Sequence, residues 1–173
     1  MYAPGVLPVL HAEVDARAAE VAARHEGQLA CRPGCSGCCL DGLTVFEVEA
    51  ERIRSEFPDV LHQAPGPRGG CAFLDAAHRC RIYAARPYVC RTQGLPLRWI
   101  EADEVDGEEV TEARDVCALN LVDADLVALP PDECFELGPF ESRLAALQAE
   151  RQGARPGASL ERVALRALFE GSA

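Results

Sequence analysis

The sequence predicts a small single domain of the α+β class, mainly helical, with irregular metal-binding loops and one β-hairpin. Three observations predict this class. Apolar residues recur at helical spacing in several segments, cysteines crowd two segments rich in Gly and Pro, and β-prone residues flank Asp106-Gly107. The 173 residues suit one core. We therefore interpret 1–173 as a single domain, with a motif core at 31–117 and C-terminal helices within 139–170.

Two helices are predicted before the second cysteine segment. One follows an apolar stripe and runs to about Gln28; its inward residues are Leu10, Val14, Ala18, Val21 and Ala22. The other is predicted from Thr44-Val-Phe-Glu47, which has the form of a capping box, and ends at Pro58. Its inward residues are Phe46, Ala50, Ile53 and Phe57.

The second half of the chain predicts a hairpin and two helices. The dipeptide Asp106-Gly107 suits a tight turn between two strands. A helix is expected from Pro139, with Phe140, Leu144 and Leu147 inward. Another is expected after Ser159; its inward residues are Leu160, Val163, Ala164, Ala167 and Leu168. Between Cys71 and Cys90 the chain is expected to be irregular, with a helical turn near Arg86-Pro87.

Composition excludes several classes of function. The net charge of -11 argues against a nucleic-acid partner, and no apolar run is long enough to span a membrane. The N-terminal stretch does not have the form of a signal peptide, so we expect a cytoplasmic protein. All 17 basic residues are arginine, which excludes a Schiff-base lysine and a phosphate-loop lysine.

The nine cysteines are the main functional signal. In a reducing compartment they indicate metal binding or thiol chemistry rather than disulfides. Cys35-Ser-Gly-Cys38 is a Cys-x-x-Cys knuckle, and Pro33-Gly34 can turn Cys31 toward the same point. Cys38 and Cys39 are adjacent, so either they bridge two metals or one of them lies outside the ligand set or is redox-active.

The two cysteine segments together resemble the YkgJ-type cysteine-cluster family, a zinc- or iron-chelating domain related to the cysteine-rich region of flagellin lysine N-methylase. The resemblance rests on "CRPGCSGCC" followed by "CAFLDAAHRCRIYAARPYVCRTQGLP" and spans about Cys31 to Cys117. It departs from the usual Cys-x-x-Cys-x-x-Cys-Cys in having three residues between Cys31 and Cys35. The resemblance implies a metal site and specifies no reaction.

The expected ligands come from both segments. They are Cys31, Cys35, Cys38, Cys39, Cys71, Cys80, Cys90 and Cys117. Cys117 has a nearly equal alternative as a small buried thiol, and Cys134 is interpreted as an ordinary thiol. His78 could complete a coordination sphere, although a solvated loop histidine is the simpler interpretation; His11, His25 and His62 are expected at the surface.

Arginines supply an independent indication of a site. Six arginines and a single acidic residue, Asp75, occur from Arg68 to Arg98. Seven or eight thiolates around two dications would carry a charge of about -3 or -4, which cationic groups must offset in a partly buried site. Arg86 and Arg91 lie inside the motif and are the expected cofactor-binding arginines.

Three functional hypotheses follow. The first is a metal-binding protein whose cluster chelates zinc or iron, at least partly as a structural staple. The second is an iron-sulfur protein with a redox or protein-modification role. The third is a thiol-based metal chaperone or redox sensor. A metal ion is the expected partner, a protein partner stays open, and no segment resembles an adenosyl-cofactor site that would assign an enzyme activity.

Overall fold

A computed structural model of the chain describes residues 5–101, 111–155 and 157–170. These residues form five α-helices, five short strands and four 3-10 turns. The helices are α1 Val6–Arg24, α2 Glu47–Glu56, α3 Pro58–Leu61, α4 Tyr88–Thr92 and α5 Gly138–Gln152. The strands are β1 Thr44–Phe46, β2 Leu97–Glu101, β3 Thr111–Asp115, β4 Phe135–Glu136 and β5 Arg162–Ala164. The predicted α+β class is confirmed.

Helix α1 forms because its apolar residues share one face. Leu7, Leu10, Val14 and Val21 are almost fully buried along it. The predicted helix is confirmed, but it ends at Arg24 rather than near Gln28. The next residue, His25, closes the helix because its N–H donates to the carbonyl of Ala22. No helix among the described residues is long and apolar enough to cross a membrane.

The predicted hairpin is confirmed by antiparallel pairing of β2 with β3, in which Trp99 lies opposite Ala113. Its predicted turn at Asp106-Gly107 lies outside the described residues. Strand β4 adds to β2 in parallel and gives the sheet order β3-β2-β4. Arg98 joins the three strands because it donates to Glu112 on β3 and to Glu136 on β4, each at 2.8 Å.

Two local predictions are wrong. Thr44 does not cap a helix: it begins β1, which pairs with β5, and α2 begins at Glu47 with no side-chain cap. The segment after Ser159 is not an α-helix, because Arg162–Ala164 forms β5 and Leu165–Phe169 forms a 3-10 helix. The reason is the same in both cases: the backbone N–H and C=O groups of β1 and β5 bond to each other, with Thr44 opposite Ala164, instead of bonding along a helix. The helix expected from Pro139 is confirmed as α5.

The buried side chains form two cores. The first core packs α1 against α4, α5 and β4, around Leu10, Tyr88 and Phe135. The second core lies beneath α2 and the C-terminal 3-10 helix, around Ile53, Phe73, Ile82, Leu165 and Leu168. Cys71 is a member of the second core, and Cys39 and Cys80 pack against it. The second core therefore places cysteines from both motif segments side by side.

Candidate metal centre

The first cysteine segment consists of two consecutive tight turns between α1 and β1. Arg32-Pro33-Gly34-Cys35 is a type II turn, because the Cys35 N–H donates to the Arg32 carbonyl at 2.9 Å and Gly34 has a φ of 88°. The next turn is closed by the Cys39 N–H, which donates to the Ser36 carbonyl at 2.9 Å. These turns bring four thiols into one short loop, as the Pro-Gly and Ser-Gly dipeptides predict.

A backbone hydrogen bond joins the two cysteine segments. The Cys71 N–H donates to the Cys39 carbonyl at 2.8 Å. Beyond Cys71, residues Leu74 and Cys80 form an antiparallel bridge across a turn that Asp75 stabilises. The Asp75 carboxylate accepts the N–H groups of Ala77 and Arg79, both at 2.8 Å. The turn thus returns Cys80 toward Cys71.

Four thiols are near neighbours; we call Cys39, Cys71, Cys80 and Cys90 the inner group. Cys71 belongs to the second core and Cys39 and Cys80 pack against it, whereas Cys90 approaches from α4. Burial, with smaller contributions from the charges of neighbouring thiols, raises the pKa of Cys39 to about 12. Burial also raises the pKa of Cys71, Cys80 and Cys90, and Cys90 is affected by the charges of all three other members. Without a metal these thiols hold their protons at neutral pH.

Some contacts of the inner group act in the opposite direction and favour thiolates. The backbone N–H of Phe73 bonds to the Cys71 sulfur and lowers the pKa of that thiol, and the N–H of Ile82 does the same for Cys80. The positive charges of Arg81 and Arg166 lower the pKa of Cys71, and those of Arg86 and Arg81 lower that of Cys80. Donors and cations are therefore present where thiolate ligands would form.

A second set of thiols faces solvent; we call Cys31, Cys38 and Cys117 the outer group. Cys31 is exposed, whereas Cys38 and Cys117 are half-buried. Burial raises the pKa of Cys38, and the charges of Cys117 and Cys31 raise it as well, which puts each of those two sulfurs within electrostatic reach of Cys38. Cys35 is half-buried in the same loop.

Asn120, to which the sequence patterns assigned no role, organises the outer group. It is 2% exposed. Its Nδ2 donates to Cys31 Sγ at 3.4 Å, and its Oδ1 accepts the Ala30 N–H at 2.7 Å. Its own N–H donates to the Cys117 carbonyl at 2.8 Å. One side chain therefore ties the Cys31 loop to the Cys117 turn, and only the sequence context Cys117-Ala-Leu-Asn120 hints at it.

The two arginines predicted to bind a cofactor both lie on one carboxylate of α1. Arg86 donates to Asp15 Oδ1 at 3.0 Å, and Arg91 donates to Asp15 Oδ2. The Arg91 side chain is 3% exposed, and its Nε has no hydrogen-bond partner in the described part of the chain. Both residues line a cleft of about 480 Å³ that also includes Cys31. Their predicted cofactor role stays a prediction.

Arg166 is a second residue that sequence reasoning missed. From the C-terminal 3-10 helix it donates to Asp41 and to the carbonyls of Gly66, Pro67 and Gly70. The loop that leads to Cys71 is therefore held in place by a residue about a hundred positions away. No local pattern signals this contact.

Histidines are placed differently from the expectation. His11 and His25 are each 2% exposed, so their predicted surface position is wrong. His78 is exposed, with a φ of 58°, and its ring contacts Ser36 Oγ at 3.3 Å.

Cys134 is 1% exposed, apart from both groups and near Arg114.

Comparison with known families identifies the cysteine segments. Residues 30–118, just over half of the chain, match the model of the CxxCxxCC family, described as "Putative zinc- or iron-chelating domain". The chain belongs to this family. No curated protein and no solved structure matches it. The match to the CxxCxxCC family supports zinc or iron binding and includes both the inner and the outer group.

The donor set fits the ions that this family description names. Thiolates are soft ligands that suit zinc and iron-sulfur clusters. Eight cysteines that could supply them lie within the matched residues. In residues 5–101, 111–155 and 157–170, no three Cys, His, Asp or Glu side chains already converge as the ligand set of one ion. The thiols are thus neighbours whose side chains must rotate before they share an ion.

Proposed function

We propose that the cysteine cluster binds zinc or iron and that the bound metal is, at least in part, a structural element. The observation that carries this proposal is the inner group itself. Four thiols from two distant segments lie within electrostatic reach of one another, three of them on the second core, and burial raises the pKa values of all four. Neutral thiols do not account for this proximity, whereas a bound metal would replace their protons and cross-link the two segments.

The structural role follows from what otherwise holds these segments. Residues 25–43 and 62–82 contain no helix or strand longer than an isolated bridge. They are joined to each other by the Cys39–Cys71 backbone bond and by the Gly69 N–H, which donates to Asp41 Oδ2 at 3.0 Å. Because these loops have little regular secondary structure, metal-binding free energy would contribute directly to folding.

The test compares metal content with thermal unfolding of the full chain. Anaerobic purification followed by elemental analysis and a visible absorption spectrum identifies the metal. A colourless protein that contains zinc excludes an iron-sulfur cluster. A brown protein that contains iron and acid-labile sulfide excludes simple zinc binding. We expect a chelator to lower the melting temperature of the parent. The variant Cys71→Ser/Cys80→Ser should melt at a lower temperature than the parent, and a chelator should lower its melting temperature by less than it lowers that of the parent.

Cys134→Ser is the matched control, because this buried thiol lies outside both groups. It should keep the metal content and the chelator response of the parent. A parent whose melting temperature is the same with and without chelator would contradict the structural role. A parent that holds neither zinc nor iron would contradict metal binding altogether.

A second candidate function is a thiol-based metal carrier in a reducing compartment such as the cytoplasm. The exposure of Cys31, at the edge of the cleft beside Asp15 and Arg91, supports it. Ligand exchange needs a thiolate that an incoming ligand can reach. Rapid transfer of part of the bound metal to a chromogenic chelator, slowed by Cys31→Ser, is the expected result; equal transfer rates in parent and variant would exclude this role for Cys31.

A further inference from the structure

We propose that the eight cysteines form two adjoining four-thiolate sites, an inner one of Cys39, Cys71, Cys80 and Cys90 and an outer one of Cys31, Cys35, Cys38 and Cys117. Cys38 and Cys39 then serve different metal centres. This inference rests on the proposed metal-binding function and specifies how that function divides the ligands.

The inner site is defined by packing and backbone pairing. Cys71 belongs to the second core, and Cys39 and Cys80 pack against that core. Cys39 is fixed beside Cys71 by the 2.8 Å backbone hydrogen bond, and the Leu74–Cys80 bridge returns Cys80 to the same place. Cys90 approaches from α4, and the thiols that act on it electrostatically are Cys71, Cys80 and Cys39. These are the other three members of the inner group.

The outer site is defined by Asn120 and by sequence spacing. Asn120 contacts Cys31 through its side chain and Cys117 through its backbone, so two distant cysteines are held against one residue. The thiols of Cys31 and Cys117 both act on Cys38. Cys35 is assigned to this site because Cys35-Ser-Gly-Cys38 has the two-residue spacing with which neighbouring cysteines share one tetrahedral ion.

The pair Cys38-Cys39 is where the two sites adjoin. Cys39 packs on the second core, whereas Cys38 is not part of either core formed by the described residues. Their thiols also contact each other. Apart from this mutual contact the two thiols have different neighbours: Cys71 and Cys80 act electrostatically on Cys39, whereas Cys31 and Cys117 act on Cys38. Assigning one thiol to each side leaves four ligands for each ion without a shared sulfur.

Charge compensation is available to both sites. A dication with four thiolates carries a charge of about -2, which is costly where water is excluded. The inner group has Arg81, Arg86 and Arg166 acting on it. Arg86 and Arg91 line the cleft that includes Cys31 of the outer site. The exposed Cys31 lies where water can screen the charge.

Cadmium-113 NMR of the full chain, reconstituted from the reduced apoprotein, tests this division. We expect two cadmium resonances of equal intensity. The β protons of Cys39 and of the other inner-site cysteines should couple to one resonance. Those of Cys38 and of the other outer-site cysteines should couple to the other. Coupling of both residues to one cadmium, or of either residue to two cadmium ions through a bridging sulfur, would overturn the proposal.

Two paired variants give the stoichiometry independently. Cys31→Ser/Cys117→Ser should retain half of the parent's cadmium and keep the resonance of the inner site. Cys71→Ser/Cys80→Ser should retain the other half; should it fail to fold, the first variant alone decides the question. Loss of all cadmium from Cys31→Ser/Cys117→Ser would overturn the division. A parent that binds no cadmium, zinc or iron would instead contradict the proposed function, which separates the two failures.

Discussion

The side-chain amide of Asn120 donates to the sulfur of Cys31 across 3.4 Å. The same Nδ2 donates to the carbonyl of Gly94 at 2.6 Å, and Oδ1 accepts the Ala30 N–H. A buried amide with all of these contacts holds three separate backbone segments together. It also supplies a donor to a sulfur that would be a thiolate in a metal site.

Replacing Asn120 with Asp tests this contact with almost no change in shape. Asn120→Asp keeps an acceptor for the Ala30 N–H but removes the donor to Cys31 and to Gly94, and it adds a negative charge beside the thiolate. We expect a loss of about 1–3 kcal/mol in the free energy of unfolding and reduced occupancy of the outer site. Urea unfolding and metal analysis measure the two effects. Full metal content in this variant would contradict the role of Asn120.

Gly94 leaves the space that Cys31 occupies. Its φ is 92°, and a Cβ at this position would lie 2.5 Å from Cys31 Sγ. Gly94→Ala should therefore displace the Cys31 thiol and lower the metal affinity of the outer site, in addition to about 1–2 kcal/mol of backbone strain. Metal titration followed by native mass spectrometry measures the affinity.

Gly69→Ala is the matched control for that prediction. Gly69 has nearly the same φ, 91°, and apart from its two chain neighbours no described residue has an atom within 4 Å of the point where its Cβ would be. The backbone strain should be similar in both variants, whereas only Gly94→Ala contacts a cysteine. Equal metal titrations for the two variants would show that the contact with Cys31 is unimportant.

Arg166 should stabilise the inner site through the loop before Cys71. Arg166→Gln removes donors from the carbonyls of Gly66, Pro67 and Gly70 and from Asp41, so we expect a loss of about 2–4 kcal/mol in the free energy of unfolding. Urea unfolding of the metal-loaded protein measures it.

Arg143→Gln is the control for Arg166→Gln. Arg143 is half exposed and forms a surface ion pair with Glu13, so its replacement should cost less than about 1 kcal/mol. Similar losses in both variants would contradict a special role for Arg166.

His11 makes stability depend on pH. Arg52 donates to its Nδ1 at 2.9 Å, so the ring is neutral and donates from Nε2 to Glu49 at 3.1 Å. Burial lowers the pKa of His11 below its usual value of 6.5, against the opposing effect of Glu49. Because the unfolded chain takes up a proton on this histidine first, its contribution to stability is complete above pH 6.5 and declines as the pH falls toward the lowered pKa.

The comparison of the parent with His11→Gln isolates this effect from protonation of the metal ligands. Urea unfolding at about pH 7.5 and about pH 5.5 should show a larger loss of stability in the parent than in the variant. Equal losses would mean that His11 is protonated in the folded protein as readily as in the unfolded chain.

Local patterns predicted most helices but not the pairing of distant segments. The apolar stripe of α1 and the residues of α5 were sufficient because a helix satisfies its own backbone groups and needs only one buried face. The β1–β5 pair was missed because Thr44 and Ala164 are far apart in sequence, and three-residue strands carry almost no periodic signal. The burial of His11 was missed for the same reason, since Glu49 and Arg52 come from another helix.

The sequence by itself determined which sulfurs are available, the tight turns that gather the first four, and the family to which the cysteine segments belong. These properties depend on neighbours within a few residues, and turn chemistry and spacing encode them directly. Only the tertiary structure decided that Cys39 adjoins Cys71, that Asn120 joins Cys31 to Cys117, and that Arg166 supports the loop before Cys71. Those contacts arise from packing of the second core and from long-range hydrogen bonds, which no local pattern specifies.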